Sequence, residues 1–102
     1  MGSVFIQSGK AAYNKVTSEY DYVTYSLVVR KNSSYKKVND ILKKTVGYNP
    51  NGTKIDEALN RLSKKVSNYG VSELYGVEAI VDALYDKQVD AILINEGSRD
   101  LV

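Results

Sequence analysis

The chain has no cysteine, no histidine and no tryptophan, and only one proline, one methionine and one phenylalanine. Without cysteine there is neither a disulfide to staple the fold nor a thiolate to act as nucleophile or metal ligand. Without histidine the usual general base, the commonest metal ligand and the pH switch near neutrality are lost together. No apolar run approaches the ~20 residues that a membrane-spanning helix needs. The longest, Leu27 to Val29 and Ala91 to Ile94, are strand-sized. Neither a Walker pattern nor Gly-x-Gly-x-x-Gly occurs, so no dedicated phosphate loop is written in the sequence. A nucleophile–base pair could be assembled only from lysines and carboxylates. An enzyme is therefore the least expected class, and neither a metal nor a cofactor is expected.

What is present suits one small domain, 1–102, with Met1-Gly2-Ser3 reading as a cloning remnant and not as a signal sequence. Hydrophobic content of 43% and charged content of 25% are ordinary for a globular chain and argue against disorder. Net charge is only +2, yet it is unevenly spread. Residues 30–65 hold ten Lys or Arg against three acids, whereas residues 66–102 hold two against seven. Such asymmetry fits a basic surface facing an anionic partner, or simply solvated helix faces that fold back near one another.

Periodicity supplies the elements. Val4-Phe5-Ile6 is followed by Ala11, Ala12 and Val16 at helical spacing, so a helical stretch is expected within residues 4–19. From Tyr22 to Arg30 the pattern alternates, with Val23, Tyr25, Leu27 and Val29 on one face, which predicts a strand. Asn32-Ser33-Ser34 offers an N-cap to a short helix striped by Val38, Ile41 and Leu42. Thr45 to Tyr48 is a second strand, and Asn49-Pro50-Asn51-Gly52 is loop chemistry. The clearest helix follows, with Thr53 as cap, Asp56 at the third helical position, and Ile55, Ala58, Leu59, Leu62 and Val66 on one stripe. Val71 to Tyr75 is a third strand, and Val77, Ile80, Val81 and Leu84 stripe another helix. Ala91 to Ile94 is apolar on both faces, as a doubly covered strand in a largely parallel sheet would be. Gly97 opens a last helix. Strands alternating with such helices predict right-handed βαβ units: an α/β fold of three-layer character, with a small, mostly parallel sheet of three or four strands.

Few residues suggest chemistry. Asn51 and Thr53, in the loop before a helix, could present backbone amides and side chains to a small anion, although an ordinary capped helix has the same look. Lys36, Lys37, Lys43, Lys44, Lys64 and Lys65 form the basic stretch that would meet an anionic surface. Glu78, Asp82 and Asp86 repeat every four residues along one helix, which is a solvated face unless a second element brings converging ligands. Asp90 sits at the start of the last strand, where its carboxylate can accept backbone or side-chain donors. Nine tyrosines, with Tyr22, Tyr35, Tyr48 and Tyr69 near polar loops, suit saccharide faces, protein interfaces or the edge of a core. The basic residues are spread over amphipathic segments without a helix-turn-helix pattern, so no nucleic acid is expected as a partner.

The order "TVGYN", "NGTKIDEAL" and "GVEAIVDALYDKQVDAILINE" resembles one lobe of a type II periplasmic, or solute-binding, protein. With "SGKAAYNKVT", "YSLVVRKNSS" and the ending "INEGSRDLV", it also resembles the accessory domain of LytR-CpsA-Psr cell-wall proteins, of the CpsA-like branch from streptococci and related Gram-positive bacteria. That resemblance implies a non-catalytic module on the extracellular face of a membrane-anchored protein. Its partner would be the catalytic domain of the same full-length chain, which attaches capsular polysaccharide or wall glycopolymer. Anionic glycopolymer or membrane head groups would lie nearby. Some members carry older labels as transcriptional regulators. The catalytic Arg and Asp cluster of that family has no counterpart here. The rival reading is a ligand-binding lobe for a small anion or saccharide, with a concave pocket near Asn51 and Thr53.

Overall fold

The computed structural model describes residues 4–18 and 23–102. Its strands are β1 (Ile6–Ser8), β2 (Ala11–Lys15), β3 (Tyr25–Arg30), β4 (Thr45–Tyr48), β5 (Gly70–Glu73) and β6 (Ala91–Asn95). Helix α1 (Ile55–Lys65) joins β4 to β5, α2 (Val77–Tyr85) joins β5 to β6, and short 3-10 turns span Val38–Ile41 and Glu96–Leu101. The strands form one sheet in the order β1-β2-β3-β6-β4-β5.

The parallel part arises as the periodicity predicts. From β4 the chain steps outward to β5 through α1, then back past β4 to β6 through α2. Right-handed crossovers running in opposite directions place their helices on opposite faces of the sheet. Accordingly Ile55, Ala58, Leu62 and Val66 bury against Leu27, Val29, Val46 and Leu93 on one face, while Ile80, Ala83 and Leu84 bury against Val28, Ile92 and Ile94 on the other. The continuous apolar run of β6 is explained by this double cover. Ala91 to Ile94 are all buried, between β3 on one side and β4 on the other. Each of Ile92, Leu93 and Ile94 taken from water contributes about 1.5–3 kcal/mol. Gly47, in the middle of β4, is set by the same packing: a Cβ there would lie 3.0 Å from Leu74 Cδ1 and 3.4 Å from Val89 Cγ1.

Several sequence expectations need correction. The sheet has six strands and is mostly antiparallel, because β1–β2, β2–β3 and β3–β6 pair antiparallel while only β4–β5 and β4–β6 are parallel. The expected helix within residues 4–19 is the hairpin β1–β2. Ala12, Asn14 and Val16 share a period-two face as readily as a helical stripe, and the open edge of β3 selects the strand through pairs such as Ala12↔Val29 and Asn14↔Leu27. The expected helix after Asn32-Ser33-Ser34 shrinks to the 3-10 turn Val38–Ile41, flanked by Lys37 and Leu42. Its two buried residues, Val38 and Ile41, suffice to plug the α1 face. Helix α1 begins one residue later than expected, with Lys54 and not Thr53 at the N-cap. Lys54 is left-handed (φ 58°) and makes no side-chain cap bond. The last segment is a 3-10 turn rather than an α-helix. Tyr22 lies outside the described residues, whereas Tyr35, Tyr48 and Tyr69 are partly buried against the core.

Candidate functional site

At the carboxyl ends of β4 and β6 the backbone diverges into α1 on one side and the Glu96–Leu101 turn on the other. Crevices outside the carboxyl ends of parallel strands are where α/β sheets hold ligands. Here the crevice is about 50 Å³, floored by Leu93 and Ile94 and walled by Tyr25, Asn49, Gly52 and Asn95, with Val77 and Ile80 of α2 behind.

Each wall has a local cause. Tyr25 is the first residue of β3, and antiparallel pairing sets it opposite Asn95, the last of β6. Its ring is buried, and its hydroxyl donates to the Thr53 carbonyl at 2.7 Å. Burial raises the Tyr25 pKa above the ordinary tyrosine value, which keeps the phenol a donor. Glycine at position 52 lets the loop and the hydroxyl approach, since a Cβ there would stand 2.7 Å from that hydroxyl oxygen and 3.2 Å from Asn49 O and would force the hydroxyl to shift. Asn49 Oδ1 accepts from the Asn51 amide at 2.9 Å and Asn95 Oδ1 accepts from the Ser98 amide at 2.9 Å, so both side chains fix the turns that carry them.

Asn51 and Thr53 themselves are exposed at the rim, and among the described residues neither side chain is used in a hydrogen bond. The concave surface lies where those two residues point in the sequence, but Asn49 and Gly52 line it. Nothing in the sequence marks Tyr25 or Asn95 as lining it. Tyr25 reads as one more member of an alternating strand, and Asn95 as a strand end. Only their antiparallel pairing brings them together.

The other candidates separate. Lys64 and Lys65 share an open cleft of about 490 Å³ with Glu57, Asn60, Arg61 and Val16. Lys36, Lys37, Lys43 and Lys44 are exposed on either side of the Val38–Ile41 turn. Lys43 N donates to Asn68 O at 2.8 Å, which brings that loop beside the exit of α1. Glu78, Asp82 and Asp86 remain on the exposed face of α2. No group of three potential metal-ligating side chains occurs among the described residues. Asp90 is a tie within the fold. Its Oδ1 accepts from the Tyr35 hydroxyl at 2.9 Å and its Oδ2 from the Thr45 amide at 3.0 Å, while its own amide donates to Thr45 O at 2.9 Å. Burial first, and then the Asp90 carboxylate, raise the Tyr35 pKa. Among the described residues no helix is long and apolar enough to cross a membrane.

No family model and no curated protein sequence matches the chain. Solved structures do. The second substrate-binding domain of an assigned amino acid ABC transporter from Streptococcus pneumoniae is similar at 24% identity and TM-score 0.62, over 82% of this chain and 37% of that one. An arginine-bound mutant of ArgBP from T. maritima is similar at 20% identity and TM-score 0.60, over 87% and 40%. The GluR0 ligand-binding core in complex with L-glutamate is similar at 18% identity and TM-score 0.57, over 93% and 42%. The chain therefore spans 37% to 42% of these relatives' length and has the fold of one lobe of a solute-binding protein.

Proposed function

We propose that the chain is a non-catalytic binding lobe whose crevice at the carboxyl ends of β4 and β6 forms one wall of a site for a small organic anion or saccharide. The observation that supports this is the position of that crevice, beside the amino end of α1, in a fold otherwise found in halves of binding proteins. Ligand cavities commonly enclose about 300–1,000 Å³. This crevice holds about 50 Å³, so the lobe supplies one wall and a further part of its protein supplies the other. Contact on one side only makes binding by the isolated chain weak, on the order of millimolar. The unused side chains of Asn51 and Thr53 at the rim are then the first polar contacts.

A second reading concerns the setting. The segments "YSLVVRKNSS" and "ALYDKQVDAILINEGSRDLV" support an accessory module of a LytR-CpsA-Psr protein on the extracellular face of a membrane. Within it the exposed lysines 36, 37, 43, 44, 64 and 65 lie toward anionic glycopolymer or head groups.

Amide chemical-shift mapping of the whole chain with arginine, glutamine, glutamate and neutral hexoses tests the first reading. Shifts confined to Asn49–Ile55 and Asn95–Ser98 are expected. Silence there at about 10 mM of every probe overturns it.

A further inference from the structure

A further cavity, of about 640 Å³, opens at the opposite end of the sheet from the crevice, where β3 ends and α2 turns into β6. Its wall includes Lys10, Arg30, Lys31, Tyr85 and Lys87, and no carboxylate. Lys10 comes from the near-neutral start of the chain and Lys87 from its acidic end, so no run of charge in the sequence announces the cluster.

The four cations are not equivalent. Arg30 is committed to the fold: its Nη1 donates to Leu84 O at 2.6 Å and to Val89 O at 3.0 Å, capping the carbonyl end of α2. Lys10, Lys31 and Lys87 have no ion-pair partner among the described residues. Their backbones are nonetheless pinned. Lys31 N donates to Lys10 O at 3.1 Å across the hairpin, which holds those two stems side by side. Lys87 occupies the left-handed position after α2 (φ 64°), locked by Lys87 N to Leu84 O at 3.2 Å and Gln88 N to Ala83 O at 2.9 Å. Glycine is the low-strain residue at such a helix exit, yet a lysine stands there. The Tyr85 hydroxyl is buried with no hydrogen-bond partner among the described residues, on a side chain that lines the same cavity. Burial raises its pKa, so the phenol stays protonated. A buried donor without an acceptor is an unusual expense in a native fold.

We propose that this cavity binds a phosphomonoester, with the phosphate among Lys10, Lys31 and Lys87, the Tyr85 hydroxyl donating to it, and the organic body lying over the Tyr85 ring. A phosphomonoester carries about two negative charges at neutral pH and several acceptor oxygens, which suits three uncompensated ammonium groups better than a monoanionic carboxylate does. The cavity is also larger than an inorganic ion requires. This site lies at the other end of the sheet from the crevice of the proposed binding lobe, so the two stand or fall separately, each by its own set of shifting amides.

The test is amide chemical-shift titration of the whole chain with inorganic phosphate and with a hexose 1-phosphate. Vesicles of phosphatidic acid, set against phosphatidylcholine alone, form a separate arm. Saturable shifts at Lys10, Lys31, Tyr85 and Lys87 are expected. Lys31→Gln combined with Lys87→Gln should weaken binding roughly tenfold or more, because two charge-assisted contacts go. Tyr85→Phe should weaken it about three- to tenfold without lowering Tm, since the lost hydroxyl has no partner in the fold and its burial is a cost. Lys64→Gln with Lys65→Gln should have no effect. Binding to the soluble ester assigns the phosphate to a small molecule, and binding to phosphatidic acid vesicles alone assigns it to a lipid head group. Either supports the site. No saturation by about 10 mM in any arm, shifts spread evenly over all exposed lysines, or undiminished binding by the Lys31→Gln, Lys87→Gln protein would overturn it.

Discussion

Replacing Asp90 separates a structural tie from a ligand contact. Its carboxylate accepts the Tyr35 hydroxyl at 2.9 Å through Oδ1 and the Thr45 amide at 3.0 Å through Oδ2. These two bonds join the loop after β3, the first residue of β4 and the start of β6, three segments far apart in sequence. A hydrogen bond to an ionised group contributes about 1.5–3 kcal/mol net. Asp90 is only half-buried, so solvent screening brings each bond below that range, to about 1–1.5 kcal/mol. Asp90→Ala loses both bonds and leaves the Thr45 amide without its acceptor, for a cost of about 2–3.5 kcal/mol. Asp90→Asn keeps one oxygen for one of the two donors and should cost about 1–2 kcal/mol. For a domain of this size the alanine protein should melt roughly 8–20 °C lower. Urea and thermal melts of both variants, with Tyr35→Phe completing a double-mutant cycle, measure these values. A coupling energy near 1 kcal/mol is expected for the Tyr35–Asp90 pair. An alanine variant within about 0.5 kcal/mol of the parent would refute the tie.

Leu62 and Ile92 are fully buried on opposite faces of the sheet, and truncation of either to alanine should cost about 2–5 kcal/mol in urea melts. A loss below about 1 kcal/mol at either position would contradict the double cover of β6 and the α1 stripe. Tyr25, Tyr35 and Tyr85 all have raised pKa values, each chiefly through burial. The folded chain thus holds these protons more tightly than the unfolded one, so their contribution is complete below the ordinary tyrosine value of about 10 and is lost as pH rises through the folded values. Thermal melts from about pH 8 to about pH 11 should show stability falling, and Tyr35→Phe should make the fall shallower; an unchanged slope in the variant counts against the Tyr35 contribution.

The second half of the chain was legible because its local and tertiary preferences agree. The stripe Ile55, Ala58, Leu62 and Val66 has only one helical solution, and the unbroken Ala91 to Ile94 run has only one place in a sheet, between two neighbours and two helical layers. The first half was not. Ala12 and Val16 satisfy both the helical and the strand period, Ala11 falls on the other face of the strand, and alanine's own preference leans to helix. The deciding term is the unpaired edge of β3, which residues 11–15 cap with five register pairs. No local signal encodes that edge. The same omission hides the sheet's direction: the alternation predicts a strand at β3, but nothing in Tyr25 to Arg30 states that it runs against β6. The rim residues Asn51 and Thr53 were findable from loop chemistry. Tyr25 and Asn95 required the pairing of strands whose residues stand seventy positions apart.

That antiparallel pairing also governs what the crevice can hold. In a wholly parallel sheet the carboxyl end of β3 would border the crevice. Because β3 runs the other way, its first residue borders it, and that residue is Tyr25. The ring fills the space between β6 and the Asn49–Thr53 loop, and the hydroxyl fixes the loop through the Thr53 carbonyl. Gly52 is what lets the two approach. A ligand larger than a water molecule therefore either sits at the rim, on Asn51, Thr53 and the first amides of α1, or displaces the Tyr25 hydroxyl from Thr53. The second course gives up one neutral hydrogen bond, about 0.5–1.5 kcal/mol, and frees a phenol that could then donate to the ligand in place of the carbonyl. The residue that narrows the crevice is thus also the group best placed to contact whatever opens it.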